Sequence, residues 1–436
     1  MYDVVILGGG PAGCLAAAGV KKSNPELSVC LIEKETDNKH RVGEAFLTGF
    51  IHTLYDAGLF NVIKSGNWHR KCGATYVWGK SPRPWVVSYS QDDYSPNYPA
   101  EMQDKNFRYT VHAPRHLFDK ELLEETKRVY GITIINELID DVLVAGKNNK
   151  RVTDILLKNG ERIQGKYYID ATGQASLLGR KVTERTPVIS NRQSAYGYYK
   201  NVDWNLAQLN GFSKNTTNII SNDNGWMWLI HLGERGNHLT SVGIVSDKEV
   251  TDTMTPKTIH SMFPELTYFG LTKGAPVYDF NGTEEMRSLY SHPDYSFKCE
   301  KLHGLNWALC GDSALFLDPI LSQGVTLAAH YGWMRGLGAA EFLSGKEDSQ
   351  GHVTQHYLNE TAILAEMVEH WYSSNKQAKD WKLKASEFVP SDAGIENPFL
   401  WISNLENIRS EYKVYNDRDQ VVINAALGFD PNYMIG

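Results

Sequence analysis

Gly8, Gly10 and Gly13 stand at the spacing G-x-G-x-x-G, and a glutamate, Glu33, follows twenty positions after Gly13. These residue types at this spacing suit an anionic pyrophosphate. Gly8 permits a tight turn, and Gly10 lets the backbone approach the phosphates. Pro11 and Ala12 open a helix behind them, and Gly13 lets that helix pack closely on a strand. The N–H groups and dipole at the start of the helix hold the phosphate charge. Glu33, followed by Lys34, can accept a hydrogen bond from a ribose hydroxyl. This chemistry needs a strand before the glycines and a helix after them, and both are legible. Asp3–Leu7 (DVVIL) reads as a buried parallel strand. An Ala-rich helical stretch follows, and a second strand, Ser28–Ile32, ends at Glu33.

Two further clusters carry chemistry of the same kind. A strand at 307–310 runs into Gly311 and Asp312, whose carboxylate can bind a ribityl hydroxyl. Ile169-Asp170-Ala171-Thr172-Gly173 is another strand end followed by a small-residue turn. Together and in this order, the three elements resemble the FAD-binding pattern of the glutathione-reductase-like flavoproteins. Arg41 and Arg115 fall where that class places arginines beside its cofactor. A simple NAD-dependent dehydrogenase has no use for the Gly311-Asp312 and Ala171-Thr172-Gly173 elements.

The elements that must position these residues follow an interrupted plan. The fold class expected is α/β: a Rossmann-type, glutathione-reductase-like FAD-binding domain, an antiparallel-sheet substrate domain inserted into it, and a helical C-terminal region. The FAD-binding parts fall at 1–75, 115–184 and 301–345. A sheet insertion occupies 76–114, the substrate sheet 185–300 and a helical cap 346–436. Within this plan, Glu44–Ile63 reads as a long helical insertion and Tyr76–Ser88 as strand–turn–strand around Pro82 and Pro84. Residues 115–128 read as a helix, and short strands are expected at Ile132–Ile135, Asp141–Ala145, Val152–Leu157 and Tyr167–Ile169. A helix is expected from Gly324. The end of a C-terminal helix, Met367–Tyr372, and Trp381 are expected to cap the substrate cavity.

Composition narrows the partners. The 436 residues are 42% hydrophobic and 22% charged, with a net charge of −7, an ordinary globular balance. No long basic run points to nucleic acid, and no apolar stretch approaches the ~20 residues of a membrane span. The N-terminus enters its first strand without a basic leader, so a cytoplasmic protein is expected. The five cysteines, Cys14, Cys30, Cys72, Cys299 and Cys310, include no C-x-x-C pair and read as reduced thiols. No His/Cys cluster has zinc spacing, and no metal is expected.

With these motifs in place, the chain resembles the flavin-dependent halogenases, closest to the branch that includes the chloramphenicol-pathway halogenase. The resemblance runs from residue 1 to about 385. It rests on Arg41-Val42-Gly43-Glu44, Lys71–Gly79 (KCGATYVWG), Trp226-Met227-Trp228-Leu229-Ile230, and Phe316-x-Asp318-Pro319-x-x-Ser322-x-Gly324. The resemblance implies that reduced FAD reacts with O₂ to give a C4a-hydroperoxide. Chloride or bromide attacks it, and the hypohalous acid travels to a lysine that halogenates an indole, phenol or pyrrole. Lys71 falls at the family's catalytic lysine. Ser322 stands at the flavin turn, with Pro319, Gly324 and Val325 around it, and Gly43, Glu44, Gly173 and Gly311 belong to the cofactor-binding set. Trp226 and Trp228 would wall flavin from substrate. With no second glycine-rich fingerprint, a separate flavin reductase would supply electrons.

Two positions depart from the family pattern. His231 stands where W-x-W-x-I-P has proline, and Thr326 where a histidine is frequent. A histidine can relay a proton, so His231 favours an alternative: an FAD monooxygenase hydroxylating an aromatic, such as a tryptophan side chain of a partner protein in tryptophylquinone cofactor biogenesis. A non-catalytic flavoprotein or carrier-protein docking partner is a third reading. The substrate is accordingly a free small molecule, a carrier-bound group or a protein side chain.

Overall fold

The computed structural model describes residues 1–34, 40–78, 83–89, 109–147, 149–188, 192–292, 296–346, 348–373 and 384–388. The expected turn residue Pro82, Trp381 and the C-terminal segment past 388 lie outside the described residues.

The first apolar run forms the strand Tyr2–Leu7, buried from Val4 onward. It pairs in parallel with Val29–Ile32 on one side and Gly165–Asp170 on the other. Thr133–Ile135 and Trp307–Leu309 extend this sheet in parallel, and His303–Gly304 closes one edge antiparallel. Strands covered on both faces carry continuous apolar runs rather than alternation, which is why Val4-Val5-Ile6-Leu7 has no polar member.

The helix Pro11–Ser23 opens directly from the glycine loop, with Gly10 at its N-cap and Pro11 in its first turn, where a missing N–H costs nothing. It lies beside the helix Gly324–Leu343, and the two touch backbone to backbone. A Cβ on Gly332 would fall 2.2 Å from the Ala12 carbonyl oxygen, and one on Gly336 2.1 Å from that of Ala16. A Cβ on Gly19 would fall 2.4 Å from the Trp333 oxygen. The partners advance together in sequence, so the helices run parallel and both begin on the same side of the sheet.

A second sheet has seven strands. Tyr290–His292, Arg192–Tyr199, Thr240–Asp247, Gly225–His231 and Thr216–Asn222 are antiparallel neighbours in that order. Gly73–Val77 then joins in parallel to Thr216–Asn222, and Trp85–Ser88 returns antiparallel upon it. The antiparallel sheet expected at 185–300 is thus present, and its one parallel pair is made with a strand from outside that range. Gly73–Val77 reaches the sheet by a long crossover, not a hairpin, and a crossover permits parallel pairing.

The long helix expected over Glu44–Ile63 is instead two short ones, Thr48–Asp56 and Asn61–Ser65. Gly58 at φ +68° separates them, a conformation that glycine adopts without strain. Glu44–Phe46 is extended: Phe46 N–H donates to the Val111 carbonyl and Ala113 N–H to that of Glu44. The helix expected at 115–128 spans Arg115–Tyr130 and ends at Gly131, φ +61°. The C-terminal helical region is described through Ser349–Tyr372. All five cysteines are free, and only Cys72 is not fully buried. No described helix is long and apolar enough to cross a membrane.

The glycine fingerprint divides into structural and open positions. A Cβ on Gly13 would lie 1.9 Å from the Gly8 carbonyl oxygen, whereas one on Gly10 meets nothing within 4 Å. Gly13→Ala should therefore cost about 1–3 kcal/mol of stability through overpacking, read as a lowered denaturation midpoint of the cofactor-free protein. Gly10→Ala should leave that midpoint near wild type. Equal midpoints for the two variants would contradict this packing.

Candidate active site

A cavity of about 490 Å³ opens between the two sheets, where both parallel helices begin. Gly10, Pro11 and Ala12 form one side, and Ser322, Gly324 and Val325 another. Two helix N-termini thus converge on one space, and the first helix has neither a side-chain cap nor an acidic residue in its first turn. Its leading N–H groups are therefore available to an anion. Arg41, Gly43, Arg115, Gly173, Asp312 and Pro319 also reach the wall.

Local interactions hold these residues in place. Gly8, at φ +100°, sits so close to the Ala171–Thr172 turn that a Cβ would lie 2.4 Å from the Ala171 oxygen. Asp170 fixes that turn by accepting from the N–H groups of Thr172, Leu178 and Gly179 at 2.9, 2.8 and 3.1 Å. Arg115 binds Asp119 through two bonds of 2.9 Å and the Val42 carbonyl at 3.1 Å. Burial raises the Asp312 carboxyl to about 6 against the pull of Arg115 and Arg41. Gly311, at φ +60° against Ala328, shapes the turn that carries Asp312. Glu33 is buried, and its Oε2 accepts from Gly9 N–H at 2.5 Å. It braces the glycine loop from behind and is not on the cavity wall, and Lys34 beside it is exposed. Open space at Gly10, uncapped N–H groups and flanking arginines together fit the phosphates of a dinucleotide such as FAD.

The opposite wall is aromatic, and the period of a strand explains it. Along Gly225–His231, Trp226, Trp228 and Ile230 face the cavity, while Met227 and Leu229 belong to a separate core on the other side. Side chains alternate faces along a strand, so His231 lies with the odd-numbered residues, away from the cavity. It packs against His69, His238 and Trp204, with ring centroids at 4.8, 6.0 and 5.5 Å. Burial, then His69, His238 and Lys214, push it down to about 3, which keeps it neutral. His231 therefore stands on the face of its strand opposite Trp226 and Trp228. Thr326 is fully buried in the helix behind Gly324.

Lys71 is also off the cavity wall but close behind it. The ribbon of His69–Lys71 and Thr110–His112 carries it against Glu44–Phe46, and Nζ donates to the Phe46 carbonyl at 2.9 Å. Glu44 and Ala45 of the same segment line the cavity. Lys71 is 1% exposed, and burial lowers it to about 7. Its chain neighbours His69 and Arg70 suggest a solvated basic patch, and the fold reverses that impression.

Sequence reasoning missed the partners of Glu44. Its Oε1 accepts from the Tyr198 hydroxyl at 2.7 Å, and Oε2 is buried without a hydrogen bond of good geometry among the described residues. Burial lifts Glu44 to about 7 against Tyr198, Ser241 and Arg115. Tyr196 and Tyr198 come from one alternating strand, and His40 stacks against both Tyr196 and Tyr290, with ring centroids at 5.5 and 3.8 Å. Their even spacing was the available signal. A second missed group is Asp318, buried and raised to about 6.

Glu44 binds its proton more tightly folded than unfolded between pH 4.5 and about 7. Its contribution is therefore present below pH 4.5 and lost as the pH rises through 7, by up to about 3 kcal/mol. Glu44→Gln should flatten this fall in urea midpoints of the cofactor-free protein. Parallel pH curves for the two proteins would contradict it.

Comparison with known proteins agrees with this geometry. Residues 3–98 and 91–382 match the tryptophan halogenase family. A 1H-pyrrole-2-carbonyl peptidyl-carrier-protein chlorinase from Pseudomonas fluorescens is 27% identical over 384 residues, covering 85% of this chain and 82% of that relative. The tryptophan 2-halogenase of Chondromyces crocatus is 25% identical, covering 90% of this chain and 72% of its own. Among solved structures, the myxobacterial chondrochloren halogenase superimposes with a TM-score of 0.73 at 22% identity, covering 98% of this chain and 94% of that one. A flavoprotein from Cytophaga hutchinsonii gives 0.71, also at 22%, with 98% of each chain covered. Hydroxylation of a partner protein's tryptophan finds no support in these relatives. The family match runs through both sheets and every motif at the cavity, and the chain belongs to the tryptophan halogenase family of flavin-dependent enzymes.

Proposed function

We propose that this chain is an FAD-dependent halogenase of an electron-rich aromatic, an indole, phenol or pyrrole, free or tethered to a carrier. The observation that carries the reading is the convergence of two uncapped or glycine-led helix N-termini on a cavity walled on one side by Trp226 and Trp228, with a buried lysine directly behind the Glu44–Ala45 lining. Reduced FAD, when bound, supplies the two-electron chemistry that turns O₂ and halide into hypohalous acid. Gly10, the helix N–H groups, Arg41 and Arg115 would hold its phosphates, and Asp312 a ribityl hydroxyl. The turn at Ser322–Gly324 offers backbone N–H groups to a halide. The tryptophans keep the aromatic substrate from the site of oxidation, so that halide and not substrate is oxidised.

Lys71 completes the transfer. With its ammonium lowered to about 7, both protonation states are populated near neutrality. The ammonium polarises hypohalous acid by hydrogen bonding. The amine can take the halogen and release water, then pass the halogen to the ring carbon as the ring loses a proton. Electrons would come from a separate flavin reductase, because the chain carries one glycine fingerprint for one dinucleotide.

Lys71→Ala should retain FAD and consume O₂ with reduced flavin and bromide, while brominated product falls by about 10²- to 10⁴-fold, the scale of a lost proton-transfer group. Product measured by mass spectrometry at the wild-type yield would reject the role of Lys71.

A further inference from the structure

The last residue of the helix Ser349–Tyr372 stands behind the cavity wall, against Trp226. The Trp226 indole Nε1–H donates to the Tyr372 hydroxyl at 2.7 Å, and that hydroxyl donates to Asp318 Oδ2 at 2.9 Å. Asp318 is 1% exposed, and its other oxygen accepts from Ile320 N–H at 2.9 Å. The Gln323 amide closes the same turn by donating to the Asp318 carbonyl at 2.6 Å. This turn delivers Ser322 to the cavity in the left-handed region, φ +57°, a conformation that a non-glycine residue keeps only when its surroundings enforce it. Trp371 fixes the helix end by packing against Tyr76 at 4.9 Å and Trp78 at 5.7 Å.

The geometry points to Tyr372 as a positioning residue that ties the tryptophan wall to the Ser322 turn and so sets the gap through which halogen passes. The inference rests on the halogenase reading above. One phenol oxygen is both acceptor and donor, so it registers two elements distant in sequence, Trp226 on the substrate sheet and Asp318 before the helix of the cofactor domain. A loose wall would admit water or let hypohalous acid escape, and flavin would then be oxidised without halogenating substrate. Tyr372 touches neither reacting group in this account and acts through Trp226 and Asp318.

The test compares wild type, Tyr372→Phe and Asp318→Asn, the last keeping its one carbonyl oxygen for Ile320 N–H and so losing the acceptor for the hydroxyl. With ¹⁵N-labelled tryptophan, the indole N–H resonance of Trp226, assigned through Trp226→Phe, should move upfield in cofactor-free Tyr372→Phe and stay near its place in Asp318→Asn. With FAD, flavin reductase, NADH, bromide and indole as acceptor, brominated product per NADH oxidised should fall on the order of 10- to 100-fold in Tyr372→Phe, the cost of a small misplacement, and peroxide should rise. Asp318→Asn should lower that coupling in the same direction, because the hydroxyl no longer ties Trp226 to the Ser322 turn. A purely structural tyrosine would lower the melting temperature and FAD retention but leave product per NADH unchanged, which overturns the proposal. An unmoved Trp226 resonance overturns it whatever the enzyme's activity. Wild type that forms no brominated product while the resonance moves as expected overturns the halogenase reading and the coupling role together, and leaves the hydrogen-bond relay established.

Discussion

Two helix backbones in contact set the frame on which the site depends. Gly19, Gly332 and Gly336 allow Pro11–Ser23 and Gly324–Leu343 to approach until each missing Cβ would collide with a carbonyl of the other helix. Because the helices run parallel, this contact fixes both starting points side by side, although more than 300 residues separate them. The glycine loop and the Ser322 turn then share one cavity. The partial positive charge at two helix N-termini falls on one space, suited to the phosphates of a dinucleotide and to a small anion.

The substrate side is governed by strand period. Trp226 and Trp228 face the cavity because they are two apart, and His231 cannot join them because it is an odd number of residues away. Burial then decides the state of each ionisable group: Lys71 falls and Glu44 rises to meet near 7, while His231 and His112 are kept neutral. A neutral-range amine and carboxyl beside one cavity are the conditions under which proton transfer at ordinary pH is efficient.

Much of the cofactor side was legible in the sequence because it depends on local chemistry. The fingerprint needs small residues at fixed offsets, and Gly8, Gly10 and Gly13 each had a stated reason that the packing bears out at Gly8 and Gly13. Glu33 was recognisable as part of the motif, but not its hydrogen bond to Gly9 N–H. The parallel placement of Gly73–Val77 was hidden, since a crossover leaves no turn signature. The burial of Lys71 was hidden for the same reason: the residues that cover it, Glu44–Phe46 and Thr110–His112, are remote in sequence. The placement of His231 on the face opposite the tryptophans was available from the alternation of the W-x-W strand. The relay from Trp226 through Tyr372 to Asp318 joins three segments that share no local pattern, and only the tertiary structure brings them together.

The central claim is that halide, and not the aromatic ring, is oxidised in this cavity. The most direct test supplies the purified enzyme with FAD, a flavin reductase, NADH, bromide and isotopically heavy O₂, and examines a panel of indoles, phenols and pyrroles by mass spectrometry. The account predicts a product bearing the two-isotope signature of bromine and no heavy oxygen. Heavy oxygen on the ring without bromine would contradict it and make the enzyme a monooxygenase.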